Sequence, residues 1–188
     1  HEGHDHGDED EYDEHVWLSV KNASLLTQSI ADTLAQLDPD HADAYAANAA
    51  AYEAQLADLD AQYQAAVDAA SVKTVLFGDR FPFRYLTEDY GLEVYAAFPG
   101  CSAETEASFE TIAFLAGKVD ELHLPAVLTI ENSDQRVAQT IIQNTASKDA
   151  ALLRLDSMQG TSAEDVAAGT TYLSIMESNL DVLKAALA

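Results

Sequence analysis

From residue 72 onward the chain alternates short apolar runs with longer amphipathic stretches. No other feature limits the fold so strongly. The runs are VKTVLFG, EVYAAF, AVLTIE and ALLRLDS. Each is short, largely apolar and bounded by polar or turn residues, which reads as a strand. Between them lie three helical segments. RFPFRYLTEDYGL ends at Gly91, a residue suited to a left-handed stop. AETEASFETIAFLAGKVDELH is amphipathic on Phe109, Ile112, Ala113, Leu115, Ala116 and Val119. SDQRVAQTIIQNTA begins with Ser133 and Asp134, either of which can cap it. A closing helix runs from Thr170 to Leu187. Strands joined through helices run parallel and need helices on both faces. The expected fold class is therefore α/β: a three-layer α/β lobe with a four-stranded parallel sheet, over residues 71–188.

Two helices are expected before it, over residues 15–70. The first spans 15–37, with Leu18, Leu25, Leu26, Ile30 and Leu34 at three- and four-residue steps and Ser19 as a possible N-cap. Asp38-Pro39-Asp40 breaks it, because proline is tolerated only in a helix's first turn. The second runs from 40 to about 70, is rich in alanine and has neither glycine nor proline. Tyr45, Tyr52, Leu56, Leu59, Tyr63 and Val67 mark one face. At 1.5 Å per residue it would reach roughly 45 Å, the length of a strut between two bodies. Residues 1–14 hold eight acids, three histidines, two glycines and a tyrosine. That composition cannot build a core and reads as a flexible segment.

Charge narrows the function classes. Asp and Glu number 33 against 9 Lys and Arg, a net charge of −24. Nucleic acid and anionic membrane surfaces are poor partners for such a chain, and cations are good ones. Solubility alone also accounts for the excess. The single cysteine, Cys101, can form no disulfide within the chain and reads as a small buried residue. No GxSxG, HExxH, P-loop or GxGxxG motif occurs, so the expectation is a protein that is not an enzyme. The carboxyl ends of the strands are where open α/β sheets bind ligands. Here they carry Gly78-Asp79-Arg80, Pro99-Gly100-Cys101-Ser102, Glu131-Asn132-Ser133 and Asp156-Ser157. Three of the four bear a carboxylate, a group that divalent cations accept alongside imidazole. Each also has a plain structural role: Glu131 and Ser133 can cap a helix, and Asp156 can turn a loop.

At His15 the residues meet a known pattern. Asp13-Glu14-His15-Val16-Trp17-Leu18-Ser19 resembles the DPHVWLDP motif of the zinc and manganese receptors of bacterial ABC importers, the cluster A-I solute-binding proteins. Tyr85 with Tyr90-Gly91-Leu92 is similar to that family's Y…YGL, and Ser102 to Ser108 to its SPExEPS stretch. Thr129-Ile130-Glu131, Leu155-Asp156-Ser157 and the run from Tyr172 to Leu187 follow in the family's order. The resemblance implies an extracytoplasmic receptor, periplasmic or lipid-anchored, that binds Zn²⁺ (with Mn²⁺ as the alternative) and hands it to a membrane permease. It implies metal ligation by His15 and Asp156, with Asp79 and Glu131 as further candidates. His1, His4 and His6 look like the end of a histidine-rich metal-gathering loop. Two departures stand out. Most of the family's N-terminal lobe is missing, so the chain looks like a fragment, natural or engineered, in which 15–70 is the remnant of that lobe and its linking helix. Apolar helix faces exposed in this way would favour self-association, or an interaction or adhesion role in place of transport. Secondly, Arg80 stands where the family has its third ligand, a His or Glu, and a guanidinium does not ligate metals. Either Asp79 substitutes for it, or Arg80 pairs with Glu131 or Asp156. Weak metal binding is the expectation for this chain alone.

Overall fold

The computed structural model describes residues 13–99 and 106–188. His1, His4, His6, Cys101 and the stretch Ser102 to Thr105 lie outside the described residues.

The four apolar runs form one parallel sheet: β1 (Thr74–Phe81), β2 (Glu93–Pro99), β3 (Ala126–Ile130) and β4 (Ala151–Leu155), in the order β2-β1-β3-β4. Alternation along β1 decides what each face touches. Val75 and Phe77 join one apolar cluster and Leu76 the other. On the first face lie α2 (Ala42–Ala69), α3 (Arg84–Tyr90) and α7 (Tyr172–Ala186), which contribute Leu59, Tyr63, Leu86, Met176 and Leu183. On the second lie α4 (Phe109–Leu122) and α5 (Arg136–Asn144), which contribute Leu115, Val119, Ala138 and Ile141. These are the three expected layers.

Most boundaries follow from local chemistry. Gly91 ends α3 at φ 68°, a conformation that costs glycine nothing. Ser108 caps α4 by accepting from the Thr111 amide. Two details differ from the sequence expectation. Gln135, not Ser133 or Asp134, occupies the N-cap of α5, in the left-handed region at φ 61°. The Ser133 hydroxyl and the Asp134 carboxylate instead accept from the amides of Gln135 and Arg136, so both serve the turn before the helix. A short helix, α6 (Ala163–Ala167), follows β4; it is too brief to carry a periodic signal, although Ser162 and Asp165 close a capping box around its start.

The first helix begins later than its sequence pattern. Val16–Leu18 form a 3-10 turn, and α1 covers Val20–Leu37 with Ser19 as N-cap, its hydroxyl accepting from the Asn22 amide. Helix α1 lies along α2 and buries only Val20 and Ala31. The leucine stripe stays outside: Leu25, Leu26, Ile30, Leu34 and Leu37 are all exposed. Small residues, Ala31 of α1 and Ala49 of α2, are what the hairpin buries instead. Helix α2 does bury Leu56, Leu59, Tyr63 and Val67, all in its C-terminal half. That half rests on the sheet, and the Tyr63 hydroxyl donates to the Met176 carbonyl of α7 across 2.7 Å. No helix among the described residues is long and apolar enough to cross a membrane.

Candidate metal centre

His15 sits in the turn between the start of the described chain and α1, and only 2% of its surface is exposed. A histidine so deeply buried must satisfy both ring nitrogens. Nδ1 lies 2.7 Å from Asp13 Oδ1, and the same carboxylate oxygen accepts from the His15 amide at 2.9 Å. Nε2 lies 3.2 Å from Gln159 Nε2. A carboxylate on Nδ1 holds that nitrogen protonated and leaves Nε2 as the lone-pair donor, the arrangement that orients metal-binding histidines. Among the described residues, one group of three His, Cys, Asp or Glu side chains has ligand atoms within 4.8 Å of one another: Asp13, Glu14 and His15.

Long-range contacts fix the turn. Tyr85 of α3 donates to the Asp13 carbonyl at 2.9 Å. Tyr172 of α7 donates to the Trp17 carbonyl at 2.8 Å, and the Trp17 indole donates to the Ser157 carbonyl at 3.0 Å. The Ser19 hydroxyl donates to Asp89 of α3. The His15 turn is thereby tied to α3, to α7 and to the loop after β4.

That loop, Ser157 to Gly160, is organised by Glu131. The Glu131 carboxylate at the end of β3 accepts from the Ser157 amide at 2.7 Å and its hydroxyl at 2.6 Å. It also accepts from the amides of Gln159 at 3.0 Å and Gly160 at 3.2 Å. Both oxygens are committed, and the role of Glu131 here is to shape the neighbouring loop. It does not cap α5. Asp156 is half-buried; its Oδ1 accepts from the Met158 amide at 2.7 Å, and its backbone is gripped on both sides by the Asn179 amide group. Asp156 borders a cavity of about 230 Å³ together with Arg154, Asp165 and Thr170. Asp79 Oδ1 accepts from the Arg80 amide, and its Oδ2 is buried with no hydrogen-bond partner. Neither Asp156, Asp79 nor Glu131 belongs to a three-ligand group with His15. The expected pairing of Arg80 with Glu131 or Asp156 does not occur among the described residues: Arg80 is exposed and within ion-pair distance of neither. Donors of the 157–160 loop already occupy the Glu131 carboxylate, which leaves a guanidinium little to gain there.

Gln159 escaped the sequence reading. Its only signal was its place three residues beyond Asp156, on a glycine-bearing loop at a strand end. Its amide reaches both His15 and the Ser157 hydroxyl, and only folding makes that contact visible.

Known proteins share this sequence pattern and this fold. The family model described as zinc-uptake complex component A, periplasmic, matches residues 1–186. The zinc-binding lipoprotein AdcA of Streptococcus pneumoniae is 36% identical over 184 residues, which are 96% of this chain and 36% of that protein. The high-affinity zinc uptake system protein ZnuA of Bacillus subtilis is 32% identical over 175 residues, 93% of this chain and 53% of that protein. Among solved structures, the Zn(II)-bound ZnuA-like domain of S. pneumoniae AdcA overlays with a TM-score of 0.75 at 34% identity, covering 96% of this chain and 66% of that one. The chain thus spans about a third to a half of the length of these curated relatives. With a family match over nearly its whole length and relatives at 32–36% identity, the chain belongs to the ZnuA family of zinc-uptake component A proteins.

Proposed function

We propose that the protein is an extracytoplasmic zinc receptor of an ABC importer, or a part of one, that captures Zn²⁺ and passes it to a membrane permease. One observation carries the reading: His15 is buried and its Nδ1 is held by Asp13 at 2.7 Å, so Nε2 is the nitrogen offered to the cargo. The relatives named as zinc-binding proteins support it.

In this reading His15 is the anchoring ligand, and Asp13 orients it from behind. Asp156, just before the loop that Glu131 shapes, and Gln159, within it, supply oxygens. Gln159 now sets an amide N–H against Nε2; a half-turn of that amide presents Oε1 in its place, so loading exchanges one weak contact for a bond to the cation. Glu131 acts through the loop and does not touch the cargo. Imidazole with carboxylate and amide oxygens suits Zn²⁺ and also accepts Mn²⁺. His1, His4 and His6 would gather metal at low affinity before His15. An imidazole and one or two oxygens leave coordination positions to water, so this chain alone holds zinc weakly. Calorimetric titration with zinc tests the assignment. His15→Ala should weaken binding at least roughly tenfold, about 1.4 kcal/mol. A single tight zinc equivalent that His15→Ala leaves unaltered would refute the role given to His15.

A further inference from the structure

The sheet order β2-β1-β3-β4 places a topological switch between β1 and β3. After β1 the chain leaves through α3 toward β2 on one side, and β3 continues through α5 toward β4 on the other. The crevice outside the carboxyl ends of two such strands is the favoured ligand position in open α/β sheets. A cavity of about 190 Å³ lies there, bounded by Asp79 and Arg80 from β1, Phe98 from β2, and Asn132, Ser133 and Asp134 after β3. None of His15, Asp156 or Gln159 borders it.

Its chemistry is specific. Asp79 carries a buried carboxylate oxygen, Oδ2, with no hydrogen-bond partner. Leaving such an oxygen unpaired away from water is costly, and a rotation of the Asp79 carboxylate that brings it to a donor in the cavity would recover that cost. On the same wall, Arg80 has no ion-pair partner among the described residues. The other acid, Asp134, is already bound to the Arg136 guanidinium at 2.6 Å. A bare metal ion is a poor occupant, since among the described residues Asp79 stands in no three-ligand group and a guanidinium is beside it. A plain anion meets the Asp79 carboxylate. An occupant with one cationic donor and one anionic acceptor a few ångströms apart meets both groups.

We propose that this cavity binds a small zwitterion, a free α-amino acid. Its ammonium donates to Asp79, and its carboxylate accepts from the Arg80 guanidinium, a pairing that the guanidinium's planar fork favours. The amide of Asn132 and the hydroxyl of Ser133 are further donors at the rim. The volume admits small side chains only, because drug-sized ligands need roughly 300 Å³ or more. The proposal does not depend on the zinc reading.

The test titrates the whole chain, freed of metal and kept in a chelator, with the common free amino acids and follows calorimetry and amide chemical shifts. At least one small amino acid should bind and perturb the amides of residues 78–80 and 132–134. Acetylating its amine or amidating its carboxylate should each weaken binding at least roughly tenfold, the loss of one charge-assisted hydrogen bond. Asp79→Asn and Arg80→Gln should each do the same, with circular dichroism confirming that both variants fold. If no free amino acid binds, or if capped amino acids bind as well as free ones, the proposal is wrong. Because no zinc is present, either failure leaves the cargo assignment to His15 untouched.

Discussion

Replacing Glu131 with alanine tests whether the loop opposite His15 is held by one carboxylate. In the native protein that carboxylate receives four hydrogen bonds, two from Ser157 and one each from the Gln159 and Gly160 amides. The Ser157 pair, at 2.7 and 2.6 Å, involves a fully buried residue, whereas Gln159 and Gly160 are exposed. Hydrogen bonds to a charged group contribute about 1.5–3 kcal/mol each when buried, and exposed ones much less because water replaces them. Counting only the Ser157 pair, and discounting for water that enters the space left behind, Glu131→Ala should cost roughly 3 kcal/mol. For a domain near this size that is a fall in Tm of roughly 6–12 °C. Urea denaturation monitored by Trp17 fluorescence measures the loss, and the indole bond to the Ser157 carbonyl makes this probe sensitive to the same loop. The variant should also weaken zinc binding, because Gln159 is no longer held beside His15. A loss under about 1 kcal/mol, with zinc affinity intact, would mean that the backbone alone holds the loop and that Glu131 neither shapes it nor supports the site.

Two further predictions rest on packing and on ionisation. At Gly78 a methyl group would stand 2.5 Å from Ala138 Cα, a backbone atom that cannot swing aside; Gly78→Ala should therefore separate β1 from α5 and cost about 2 kcal/mol or more, read as a lowered denaturation midpoint. The phenols of Tyr63, Tyr90 and Tyr172 are all pushed well above the ordinary tyrosine range, chiefly by burial. The folded state keeps these protons when the unfolded chain begins to release them near pH 10, so stability is intact below that pH and falls as pH rises above it. Phenolate absorbance for these three should appear together with loss of the circular dichroism signal, and Tyr63→Phe should reduce the slope; early, reversible ionisation without unfolding would contradict their burial.

The sheet was legible in the sequence because strands covered by helices read as short apolar runs, and four such runs separated by helix-length segments have one economical arrangement; β3 is buried throughout, whereas the edge strand β4 is exposed at Ala151 and Arg154. The cap at Ser19 and the stop at Gly91 were equally readable, because they rest on rules that act within a few residues; the cap at Ser108 obeys the same rules. The long α2 was visible for the same reason, in its alanine content and its missing breakers. Helix α1 shows the limit of periodicity: Leu26, Ile30 and Leu34 form a regular stripe, yet it is Val20 and Ala31 that the helix buries. A repeat of apolar residues states that a face exists and says nothing of what lies against it.

The site divides in the same way. His15 and the strand-end acids could be named as candidates from residue type, order and family pattern. Their roles were not. Glu131 and Asp156 look alike as strand-end carboxylates, but one is filled by four donors of a neighbouring loop while the other turns its own chain. Gln159 meets His15 across 144 positions of sequence, a contact that depends on how the loop after β4 returns to the turn before α1. Arg80 and Asp79, adjacent in sequence, share one cavity with Asp134 because β1 and β3 end side by side. Local rules and hydrophobic period decide the elements, since they act through neighbours in the chain. Which carboxylate is satisfied, which nitrogen is offered and which cavity forms are decided by pairings between distant segments, and those exist only once the sheet and its helices have closed on one another.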